Sequence, residues 1–159
     1  MNVRKIVLCG TTAALYFALT AALAPISFGA VQFRIAEALC VLPFLFPETV
    51  IGLFVGCILA NLFSPFGWID VAFGSAATLL AAVCTAKCRV KWLAPLFPVI
   101  VNALIVGGLI TVVYEPSVHW ETFPINAAYV GAGELGVMYV LGLPLLLVLE
   151  RLVKQRVKL

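Results

Sequence analysis

Apolar runs, each closed by a turn or by charge, follow one another along the whole chain. The first, residues 6–24, is long enough for a membrane span, which takes about 20 mostly apolar residues. Pro25 and Gly29 break it, and a second, shorter apolar element over residues 31–46 contains Arg34, Glu37 and Pro43. A turn at Pro47 and Glu48 leads to a third run, 49–63, interrupted by Gly52 and Gly56 and carrying Asn61 near its end. After the turn Ser64-Pro65-Phe66-Gly67 a fourth run covers 68–86, beginning with Trp68 and Asp70. The fifth covers 92–114 with Asn102 near its middle, and the sixth 124–149 with Glu134 inside it. The pattern predicts an all-α integral membrane protein, a bundle of six transmembrane helices forming one domain over residues 1–159. The second and third spans are short enough to be tilted or partly re-entrant.

Composition sharpens this: 64% of the residues are hydrophobic and 11% charged, against roughly 25% charged in soluble domains. Little length is left for a soluble domain. Of ten basic residues, nine fall in three clusters: Arg4 and Lys5; Lys87, Arg89 and Lys91; Arg151, Lys154, Arg156 and Lys158. Six spans put all three clusters on one side, and the positive-inside rule makes that side the cytoplasm, with both termini on it. An odd number of spans would split them. The start of the chain imitates a signal peptide, with Ala22-Leu23-Ala24 as a possible cleavage site, but the run is long enough to read as the first span. The five cysteines lie mostly in apolar surroundings and read as small hydrophobes; Cys84 and Cys88, beside Lys87 and Arg89, make a poor zinc site.

With that topology, Arg34 and Glu37, Asn61, Asp70 and Glu134 come from four spans and converge on the outer half of the bundle. Glu134 lies about 10 residues into its span, ~15 Å deep at the helical rise. A charge near the bilayer centre costs at least ~2.5–3.5 kcal/mol, so these residues predict a polar pocket facing outward. Plainer readings stand beside it. Arg34 and Glu37 are spaced for an intrahelical ion pair, Asp70 suits a helix start, and Asn61 and Asn102 suit interhelical hydrogen bonds. Glu134, with Gly131, Gly133 and Gly136 around it and no basic residue within a turn, reads as a buried carboxylate waiting for a donor. Gly10, Ala14, Ala18 and Ala22 recur every four residues on the first span. That stripe of small side chains predicts a helix-docking face, inside this chain or on a partner.

The chain has no G-x-x-x-x-G-K-[ST] phosphate loop, so it cannot by itself hydrolyse ATP in the usual way. It has no H-E-x-x-H or nucleophile elbow, which argues against an enzyme. No convincing inverted repeat marks it as a secondary transporter. A membrane-embedded binding protein without cofactor, metal or nucleic-acid partner is what remains.

The stretch Val31-Gln32-Phe33-Arg34-Ile35-Ala36-Glu37-Ala38-Leu39, with Leu42-Pro43, Ile51-Gly52-Leu53, Gly56-Cys57 and Ala60-Asn61, resembles the QueT family of queuosine precursor transporters. Asp70, Gly74-Ser75, Thr78, Gly133-Glu134, Gly142 and Pro144 extend the resemblance over most of the chain. It implies the substrate-binding S component of an energy-coupling factor (ECF) transporter, a six-helix bundle of the cell membrane. Such a component takes a micronutrient from outside and works with a transmembrane coupling protein and two cytoplasmic ATPases. The stripe on the first helix is then the surface that meets the coupling protein.

The implied ligand is a 7-deazaguanine such as queuine or a related precursor. Its N–H edge suits a carboxylate, Glu134 or Glu37, with Asp70 as a further acceptor; its carbonyl suits Gln32, Arg34 or Asn61. Phe33, Phe63 or Trp68 would stack on the ring. Three competitors remain: an S component for another vitamin or purine-like compound, a self-sufficient cation- or proton-coupled carrier, and a membrane enzyme.

Overall fold

The computed structural model describes residues 2–27, 33–65, 67–114 and 120–157, and every regular element among them is helical. Four stretches are long and apolar enough to cross a membrane: Val3–Ala22, Trp68–Lys87, Leu96–Val113 and Trp120–Gln155. Large apolar side chains such as Ile51, Phe73, Leu104 and Val140 face outward. Apolar residues outside as well as inside are the mark of a helix bundle solvated by lipid, and this is a membrane protein.

Helix α1 (Val3–Ala22) buries Cys9, Thr12, Ala13, Tyr16 and Thr20, a recurrence of three and four that keeps one face inward. Gly10, Ala14, Ala18 and Ala22 lie on its exposed side. The inner face meets α3 (Thr49–Asn61) with almost nothing between the backbones. A Cβ at Gly52 would collide with the carbonyl oxygen of Cys9, and one at Gly56 would stand 2.7 Å from that of Ala13. Small residues four apart on α3 thus allow the close approach.

Between them come the short α2 (Ala24–Ser27) and a 3-10 helix, Ile35–Phe44. The sequence predicts a short apolar span over 31–46, tilted or partly re-entrant, without fixing how regular a helix it is. Its described part is wound more tightly than an α-helix, and Pro43 lacks the N–H that an α-helix would direct at Leu39. Ten residues at ~2.0 Å rise reach ~20 Å; the 13 residues of α3 reach about the same at 1.5 Å. Both are apolar, and both fall short of the ~30 Å hydrocarbon core.

Gly67, at φ +60°, makes the turn into α4 (Trp68–Lys87) in a conformation that disfavours a side chain. Helix α5 (Leu96–Tyr114) starts four residues later than the apolar run suggests, after a turn. It packs closely on α6 (Phe123–Val137), where a Cβ at Gly107 would lie 2.7 Å from Ala127 Cα. A π-helical turn, Met138–Gly142, joins α6 to α7 (Leu143–Val157). Glu134, Met138, Gly142 and Leu146 are all buried along this run. Tyr16, Cys40, Leu53, Cys57, Met138 and Leu146 form the heart of the core.

Candidate binding site

A buried polar network lies where α1, the 3-10 helix, α3 and α4 meet. Glu37, 1% exposed, is its centre. Tyr16 of α1 donates its hydroxyl to Glu37 Oε1. Thr78 of α4 approaches the same oxygen at 3.4 Å, and the Cys40 thiol donates to Oε2 at 3.0 Å. Arg34, just before the 3-10 helix, brings Nη1 to 3.9 Å from Glu37 Oε1 and Nη2 to 3.8 Å from Asp70 Oδ2. One guanidinium therefore bridges a carboxylate of the 3-10 helix and one of α4. Burying these charges is tolerable only because they face each other and find hydrogen-bond partners.

Cys57 is the second hub. Its sulfur lies 3.3 Å from Thr78 Oγ1, 3.3 Å from Asn61 Nδ2 and 3.5 Å from the Tyr16 hydroxyl. Asn61 Nδ2 also donates to the backbone carbonyl of Asp70 at 3.0 Å and lies 3.4 Å from Ser75 Oγ. That carbonyl can only accept, which fixes the amide with its nitrogen toward α4 and its oxygen away. A Cβ at Gly74 would lie 2.7 Å from Asp70 Oδ1 and 2.9 Å from Asn61 Nδ2, so the two side chains close over a bare patch of α4.

Glu134 of α6 is buried as well. Asn102 of α5 donates to its Oε1 at 2.8 Å, and Glu37 and Arg34 lie within electrostatic range. Among the described residues, Asn61 Oδ1, Asp70 Oδ2 and Glu134 Oε2 are buried acceptors with no hydrogen-bond donor. A buried acceptor without a donor costs ~1–3 kcal/mol, more when charged. The arrangement can bind a group that brings N–H or O–H donors.

Arg34, Glu37, Asn61 and Asp70 are thus brought together, with Glu134 beside them. Gln32 lies outside the described residues. Trp68, 78% exposed, and Phe63, 68%, point away from the network, while Phe33 lies against Gly136 of α6. Asn102 does act between helices, by holding Glu134. Tyr16, Cys40, Cys57, Ser75 and Thr78 are network residues that the apolar pattern conceals. A signal for Tyr16 does exist: with Thr12 and Thr20 it puts hydroxyls on the face of α1 opposite the small-residue stripe. Among the described residues, a cleft of about 800 Å³ lies beside Arg4 and Glu48, and one of about 510 Å³ between α4 and α5 at Phe73 and Leu109, both away from the network.

The chain is 39% identical over 77 residues to a protein of Lactococcus lactis subsp. cremoris (strain MG1363) described as queuosine precursor transporter QueT. The match covers 47% of this chain and 45% of that protein, so the chain spans under half the length of this curated relative. No solved structure matches it. A sequence model of the family described as QueT transporter matches residues 6–151, which take in every residue of the polar network, and the chain belongs to that family.

Proposed function

We propose that this chain is the substrate-binding S component of an ECF transporter. It captures a queuosine precursor, a 7-deazaguanine such as queuine or a related base, from outside the cell for ATP-driven uptake by partner subunits. The observation that carries this reading is the trio of buried, donorless acceptors, Asn61 Oδ1, Asp70 Oδ2 and Glu134 Oε2, in a chain of the QueT family. A guanine-like edge supplies adjacent N–H donors that match such acceptors.

In this reading the chain crosses the membrane six times as a single domain, with the shorter Ile35–Phe44 and Thr49–Asn61 as its second and third spans and both termini cytoplasmic. The three basic clusters support that orientation. The exposed stripe of α1 meets a transmembrane coupling protein, which works with two cytoplasmic ATPases. The chain itself catalyses nothing.

Calorimetry on the chain purified in detergent, with queuine, its aminomethyl and cyano precursors, guanine and riboflavin, tests the assignment. Tight binding confined to the deazaguanines is expected. Binding of riboflavin instead, or of nothing by folded protein, would overturn the substrate. Uptake that persists in vesicles without any ATPase would make the chain a self-sufficient carrier.

A further inference from the structure

Acidic and basic side chains are not matched in number in the network. Glu37, Asp70 and Glu134 are 1%, 1% and 4% exposed, and among the described residues the buried cation beside them is Arg34. That guanidinium is already shared between Glu37 and Asp70. Glu37 is further supplied with donors by Tyr16, Cys40 and Thr78. Glu134 has a neutral partner in Asn102 and makes no ion pair among the described residues. Its free oxygen, Oε2, is buried. The carboxylates therefore have different work: Glu37 holds Arg34 in place, Asp70 shares that guanidinium, and Glu134 keeps a buried oxygen without a partner.

We propose, resting on the reading above, that Glu134 is the charge-selective residue of the site. It takes an ammonium group carried on an arm of the ligand. Asp70 Oδ2 and Asn61 Oδ1, donorless acceptors of the same network, take the N–H edge of the flat base. Asp70 and Asn61 meet at Gly74 through Oδ1 and Nδ2, and Asp70 Oδ2 and Asn61 Oδ1 are the atoms left without a hydrogen-bond donor. The ligand class is accordingly a base with a cationic amine substituent. A neutral analogue ending in an acceptor, such as the cyano compound, would set lone pair against lone pair at Glu134 Oε2. Donor, charge and geometry would all favour the amine, because hydrogen bonds between ionised groups are the stronger kind.

The test is calorimetric titration of the full chain in detergent with 7-aminomethyl-7-deazaguanine and with 7-cyano-7-deazaguanine, for the wild type and for Glu134→Gln. The wild type is expected to bind the amine at least about tenfold more tightly, the size of one charged hydrogen bond. In Glu134→Gln that preference should shrink to within about threefold, the amine losing more affinity than the cyano compound. Equal wild-type affinities would overturn this proposal and leave the deazaguanine reading standing. So would a folded variant that loses both ligands alike. If folded wild type binds neither compound, both readings fall. The wild-type comparison decides the matter even where the variant does not fold.

Discussion

Tyr16 donates its hydroxyl to Glu37, and that bond joins α1 to the 3-10 helix through the middle of the bundle. Both side chains are fully buried, so water cannot take the place of either partner. Tyr16→Phe keeps the ring and removes one donor from a buried carboxylate, at an expected cost of ~1–3 kcal/mol. Thermal unfolding in detergent should show a lower Tm for the variant. An unchanged Tm would mean that the other partners of Glu37 suffice.

Arg34 faces two carboxylates at once, so its loss is expected to be worse. Arg34→Gln leaves Glu37 and Asp70 without their buried cation, for which breaking a buried ion pair gives a guide of ~3–5 kcal/mol. Poor recovery of folded protein on size-exclusion chromatography is the expected result. Recovery and Tm equal to wild type would show that the ion pairs contribute little.

Two glycines give an internal contrast. Gly56→Ala would put a methyl group 2.7 Å from the Ala13 carbonyl, and forcing α1 from α3 should cost ~1–3 kcal/mol. Gly10 has nothing within 4 Å, and Gly10→Ala should be neutral or stabilising by up to ~1 kcal/mol through helix propensity. Matching Tm shifts for the two variants would contradict the described α1–α3 seam.

The stripe of α1 can be tested by size. With Ala14 and Ala18 both exposed, the double change Ala14→Leu and Ala18→Leu should leave the fold and ligand affinity as they are. On the proposed function it should abolish uptake in cells by keeping the coupling protein away. Normal uptake would mean that the partner docks on another face.

Much of the site was legible because a membrane chain tolerates few charges. Arg34, Glu37, Asp70 and Glu134 stand out against apolar sequence, and a buried charge must pair or face a cavity. The rest hides for the same reason: Tyr16, Cys40, Cys57 and Thr78 are ordinary members of apolar helices until a neighbouring carboxylate makes their hydroxyls and thiols matter. Cys57 reads as a small hydrophobe, yet its sulfur touches Tyr16, Asn61 and Thr78. Element boundaries were visible at Trp68 and Thr49 but not at Ile35, since hydropathy does not distinguish a 3-10 helix from an α-helix. Of the aromatic side chains expected to wall the ligand, Phe33, Phe63 and Trp68, the last two are largely exposed.

The π turn at Met138–Gly142 has a consequence for phase. Residues four apart drift by ~40° per step around an ordinary α-helix, so Glu134, Met138, Gly142 and Leu146 would wind away from the interior. Widening one turn to i→i+5 bonding takes up part of that drift and keeps the row facing inward. The turn acts as a one-residue correction between a half-helix set by the polar network and a half-helix set by the apolar core. Deleting a residue there would force one half out of register with its neighbours, leaving either Glu134 or Leu146 aimed at lipid.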